Sequence, residues 1–210
     1  MRRVIILILC GCLLIPDLSF SQDKKKHKRH ISTPELWWAA GHIFIAHKAF
    51  RITREVLAVT EVVKQNRELD NDSHGGQLDA FRHSYWMARL AQKINPRKAQ
   101  KLGLAHEKGN YIDFKKHRTE DGILPDKISS AMDLYNNERG LTLGFENRTT
   151  DADSLKLLII QAIRNGNMII IYKDSAGNYL QCNDSLINLS EYQNTWSIPK
   201  CLIPSSRKRR

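Results

Sequence analysis

Over most of residues 33–165, apolar positions recur three and four apart, the period of helices that bury one face. Thr33-Pro34-Glu35 opens the first such segment: a hydroxyl that can cap, a proline in the first turn, and an acid near the positive end of the helix dipole. Helical pattern runs on to about residue 69. Ile52, Val56, Val59 and Val63 form its inward stripe, and a break is expected near Phe50, where the pattern becomes irregular. Residues 70–76, DNDSHGG, have loop composition. A second helical segment follows and must stop before Pro96. A third helix is expected over about 97–108, then a long polar loop over 110–126, then a helix from about 126 that ends at Gly140 as its C-terminal cap. Residues 151–165 predict another helix, capped by Asp151 or Asp153, with Leu157 and Ile160 on its apolar face. After Met168 the pattern changes. MIIIYKDSAGNYLQ is a β-branched run, a turn over 174–178 and a second short run, which reads as a hairpin. The fold class expected is mostly α: a compact multi-helix domain with a small C-terminal β-hairpin.

One helix carries an anomaly. Turned at about 100° per residue, Asp79, His83, Trp86, Met87, Leu90 and Ile94 share an arc of about 100°, the width of a core-facing stripe. Arg82, Arg89 and Lys93 supply its wet edge. Asp79 and His83 thus occupy positions where a plain core helix carries Leu or Val. Burying an unpaired carboxylate costs several kcal/mol, so something must face them. Other helices offer partners. His106 shares a stripe with Ala99 and Leu102, and Glu107 flanks it. Asp133, Asn136 and Asn137 group on one side of the following helix.

The blocks DAFRHSYW, AHE and MDLYNNERG resemble an uncharacterised family of bacterial secreted proteins and lipoproteins, known as domain of unknown function 6973. Asp79, His83, His106, Glu107, Asp133, Asn136 and Asn137 match its blocks, and Met87 departs where the family commonly has Asn. The resemblance covers roughly residues 35–180. It implies a shared helical fold and a shared site, and no defined activity.

Charge and processing signals change the picture in one respect. The formal net charge is +11, yet residues 24–30, KKKHKRH, and the terminal RKRR hold nine of the 33 basic residues. Between residues 31 and 205 there are 22 basic and 20 acidic residues, a net of +2. The basicity therefore lies on two arms, no specific nucleic-acid binding is expected, and the arms suit an anionic membrane surface. Residues 1–21 read as a cleaved secretory signal: two arginines, a short apolar run broken by Pro16, then small residues at Ser19 and Ser21. Leu9-Cys10-Gly11-Cys12 loosely matches a lipoprotein processing site, but cutting there leaves an apolar segment where a tether is normally polar. Expected boundaries are thus signal 1–21, basic arm 22–31, a single helical domain 32–203 and a basic tail 204–210. Cys182 and Cys201 remain after processing and can form one disulfide in an exported protein.

The chemistry these residues can perform is that of a metal centre or acid–base cluster. Asp79, His83, His106 and Asp133 form a mixed nitrogen and oxygen donor set that suits a divalent transition metal such as zinc. Asp79 could instead orient His83 from outside the coordination shell. His83 and Glu107 are the candidate catalytic groups, with Glu107 as general base, and Arg82, Asn136 and Asn137 complete the polar cluster. An exported hydrolase of an envelope phosphoester or lipid is the expected activity. The competing reading is a non-catalytic envelope or interaction domain whose His/Asp/Asn cluster is a structural polar core. A toxin-like effector with membrane-seeking arms is a third. Ser84 lacks the glycines of a nucleophile elbow, and Trp37 and Trp38 read as core packing.

Overall fold

The computed structural model describes residues 31–119 and 122–207. The expected signal, nearly all of the N-terminal basic arm and residues 208–210 of the tail lie outside these residues. Helix α1, Thr33–Ala40, starts with a capping box in which Ser32 and Glu35 satisfy one another's backbone donors. It ends at Gly41, and α2, Ile43–Gln65, begins two residues later. The break expected near Phe50 therefore falls at Gly41-His42, where glycine's low helix propensity weakens the ladder. Ala49, Ile52, Val56 and Val63 are the buried side of α2. Trp38 is buried as expected, whereas Trp37 is 75% exposed.

Helix α3, Gln77–Lys93, is the hub, with thirteen buried residues and packing against α2, α4, α5 and α6. Helix α4, Pro96–Lys115, is capped by Asn95. It continues a further turn and more past the expected end, because Tyr111 and Phe114 pack on Trp196 with ring centroids 5.0 Å away. The polar loop is shortened to match. Helix α5, Lys127–Glu146, is capped by Asp126 and runs straight through Gly140. That glycine is a packing residue rather than a stop. A Cβ on Gly140 would overlap the Ser84 backbone, and one on Gly144 would overlap that of Ala88. Small residues four apart on both helices thus bring α3 and α5 into backbone contact, which lets side chains as short as aspartate reach across.

Helix α6, Ala152–Arg164, is capped by Asp151 and buries Leu155, Ile159, Ile160 and Ile163, leaving Leu157 outside. Strand β1, Ile169–Ile171, pairs antiparallel with β2, Leu202–Pro204. The expected hairpin is reduced to a turn closed by a single Lys173–Tyr179 bridge, and the ladder partner is the distant β2. Cys182 and Cys201 form a disulfide that ties the intervening loops to this sheet. The fold reaches past residue 203: Pro204 ends β2, and the buried Ser205 donates its hydroxyl to the Ile163 carbonyl. Among the described residues no helix is long and apolar enough to cross a membrane.

Candidate functional site

The α3–α5 contact decides where the polar residues of α3 end up. Asp79 and His83 lie one turn apart on α3, and Asp133 faces them from α5. His83 Nε2 stands 3.3 Å from Asp133 Oδ1 and 3.6 Å from Asp79 Oδ1. One ligand atom from each of the three lies within 4.8 Å of the other two, and all three residues are buried. Two ligands at about 2.1 Å from a tetrahedral ion are about 3.4 Å apart; the two His83 spacings are close to that edge, while the three atoms together lie within the wider 4.8 Å.

The Asp79 carboxylate is oriented from outside. Asp79 Oδ1 accepts from Arg82 Nη2 at 2.6 Å, and Asp79 Oδ2 accepts the Gly75 N–H at 2.7 Å. Gly75 has φ of 95°, and a Cβ there would strike Ile171. Its carbonyl also accepts from the Ile171 N–H at 2.7 Å, so one glycine links the 70–76 loop, β1 and the Asp79 carboxylate. Counting Asp79, Asp133 and Arg82 alone, the cluster carries one net negative charge, which a divalent cation would invert.

A cleft of about 60 Å³ opens onto Asp79 and Asp133. Its polar wall includes His74, Arg82, Asn110, Ser130 and Tyr179, and Ile123, Leu124 and Pro125 form an apolar lip. Ser130 Oγ and His74 Nε2 are buried and make no hydrogen bond among the described residues. Burial, with the carboxylates of Asp126, Asp72 and Asp79 nearby, pushes the Tyr179 hydroxyl up to about 12, so it stays a proton donor across the physiological range.

The expected residues divide. His106 stands outside the close group: its ring centroid is 6.1 Å from that of His83, and its Nδ1 is 3.3 Å from Glu35 Oε1. Of the four residues expected to share one centre, three thus come together and His106 stands apart. Glu107 is buried, and its Oε2 accepts from Asn110 Nδ2 at 3.1 Å, which connects it to the cleft wall. Asn136 belongs elsewhere. Its amide donates to the Ile169 carbonyl and accepts the Ile169 N–H, at 2.9 and 3.0 Å, and so docks α5 on β1. Asn137 lies one turn beyond Asp133, buried, with neither amide atom hydrogen-bonded among the described residues. Glu35, Asn110, Ser130 and Tyr179 were missed from sequence. Of these the sequence marks only Glu35, as an acid near the positive end of the first helix's dipole, and the cap hydroxyl is Ser32 rather than Thr33.

Fold and site together define a mostly helical domain with a buried Asp–His–Asp group whose two aspartates line a cleft. The chain belongs to the family described as domain of unknown function (DUF6973), whose model matches residues 36–167. That match holds α2–α6 and all three clustered residues, while Tyr179, the disulfide and both strands lie beyond it. No curated protein and no solved structure matches the chain.

Proposed function

We propose that the domain is an exported metal-dependent hydrolase of an envelope phosphoester or lipid ester, with one divalent ion held by Asp79, His83 and Asp133. The observation that carries this reading is the close group of three ligand atoms from two helices, of which the two aspartates line a cleft. The disulfide supports export, since such bonds persist in oxidising compartments. The buried, unbonded Asn137 amide and Ser130 hydroxyl support a ligand-binding interior, because buried polar groups in a purely structural core are normally paired. A divalent ion would supply Lewis acidity toward an ester oxygen and make water more acidic. Arg82 holds Asp79 in place and offsets its charge. Glu107, held by Asn110, is the candidate base. Tyr179 and Ser130 offer hydroxyl donors toward a developing oxyanion.

Elemental analysis of protein purified without chelator tests this directly. About one equivalent of zinc, manganese or iron is expected, lost in His83→Ala. Metal-free protein whose His83→Ala variant keeps full activity in a phosphoesterase and lipase screen ends the proposal. The structural reading draws on a different observation, the Glu35–His106 pair, which joins α1 to α4. It expects His106→Ala to cost about 1–3 kcal/mol while leaving any metal content unchanged.

A further inference from the structure

The elbow between α1 and α2 breaks the usual rule that large apolar side chains are covered. Within nine positions of the chain, Leu36 is 54% exposed, Trp37 75%, Ile43 64% and Phe44 94%. Single exposed apolar residues need no explanation, but four on the two sides of one turn do.

What surrounds the elbow indicates its partner. Residues 36–54, LWWAAGHIFIAHKAFRITR, contain no acid and three cations, Lys48, Arg51 and Arg54, all exposed. On α2 these lie at helical spacing behind the apolar tip: Phe44, Lys48 and Arg51 follow one stripe, and Ile43, His47, Phe50 and Arg54 the adjoining one. The opposite side, Ala49, Ile52 and Val56, is buried in the core. The solvent side of α2 is therefore apolar at its first turn, with the three cations Lys48, Arg51 and Arg54 over the next two turns. In sequence, KKKHKRH precedes Ile31, so the same end of the chain carries five further Lys/Arg.

We infer that the α1–α2 elbow is a docking site for an anionic lipid surface, with Trp37, Ile43 and Phe44 entering the interface and Lys48, Arg51 and Arg54 facing the headgroups. A soluble polyanion would engage the cations and leave Phe44 and Ile43 in water, so the apolar tip selects a bilayer. The inference is independent of any metal at the α3–α5 site.

Sedimentation of the purified chain with vesicles of phosphatidylcholine, with and without phosphatidylglycerol, tests it. Binding is expected only to the anionic vesicles, with a blue shift of tryptophan emission that disappears in Trp37→Phe, since Trp38 and Trp86 are already buried and the half-buried Trp196 is held against Tyr111 and Phe114, away from the elbow in sequence. The double variant Ile43→Ser/Phe44→Ser changes only exposed side chains. With an unaltered melting curve, it should bind at least roughly tenfold more weakly. Lys48→Glu/Arg51→Glu should abolish the preference for anionic lipid. Unchanged binding in the serine variant would assign attachment to the basic arms alone and overturn the inference. So would equal retention on heparin and vesicles, or a wild-type dimer that the serine variant turns into a monomer.

Discussion

Two buried aspartates sit two turns apart on one helix and do opposite work. Asp126 caps α5: it accepts from the backbone N–H groups of Ile128 and Ser129, from the Ser129 hydroxyl, and from Lys200 Nζ at 2.6 Å. It is closed off from solvent, and Lys200 also lies over the Tyr179 ring at 3.9 Å. Asp133 has the same charge and similar burial, yet it borders a cleft, with His83 Nε2 and Asp79 Oδ1 beside it. Burial of a carboxylate does not by itself mark a functional site. What separates the two is position: Asp126 is enclosed by its own caps and Lys200, whereas Asp133 lines a cleft with two further potential ligand atoms beside it.

The comparison depends on how closely α5 lies against α3, and Gly140 sets that distance. Gly140→Val would drive a branched side chain into the Ser84 backbone. A loss on the order of 4 kcal/mol is expected, measured by denaturant unfolding, because backbone cannot move aside as a side-chain end can. Any folded fraction should have lost the Asp133–His83 approach, while Asp126 keeps its local caps. Full stability in this variant would mean that the helices are not in backbone contact.

Asp126→Ala attacks the closed member of the pair. It strands the Lys200 ammonium, and burial already pulls that group below the usual lysine range against the opposing pull of Asp126. Removing one partner of a buried pair costs about 3–5 kcal/mol, and two backbone donors of α5 lose their acceptor as well. Thermal melts should show the drop with no change in metal content. Asn136→Ala is a smaller version of the same test, with about 1–3 kcal/mol expected from two lost bonds to Ile169. A loss of metal in Asn136→Ala, at unchanged stability, would return that residue to the site.

How much of this was legible beforehand depended on range along the chain. The Asp79–His83 anomaly lies within one helix turn and could be read from periodicity alone. The cap at Asp151 was legible too, because a cap and the N–H donors it accepts from are neighbours in sequence. What could not be read needs a partner far away. Gly140 looks like a helix stop until Ser84 is placed behind it. Ile169–Ile171 looks like half of a local hairpin until β2 arrives more than thirty residues later. His106 looks like a member of the Asp79, His83 and Asp133 group until Glu35, 71 positions away, is found against its ring nitrogen. Asn136, adjacent in sequence to Asn137, is turned to a strand that its own helix gives no sign of.

Asp133→Asn is the smallest perturbation in shape and the one that bears most directly on the site. The amide keeps the volume of the carboxylate and removes its charge. If Asp133 were held as Asp126 is, the change would break a charged set and lower stability by several kcal/mol. At a metal-ligand position the metal-free protein behaves differently. Asp79 and Asp133 present like charges on either side of His83, and removing one relieves repulsion, so the unfolding free energy should move by no more than about 1 kcal/mol, in either direction. Binding should fail all the same, because an amide is a poor ligand for zinc beside imidazole and carboxylate. Calorimetric titration of apo wild type and apo Asp133→Asn with zinc, alongside their melting curves, separates the outcomes. Lost binding with retained stability is the signature of a ligand. A large stability loss, with no zinc binding in either protein, would make Asp133 a second Asp126.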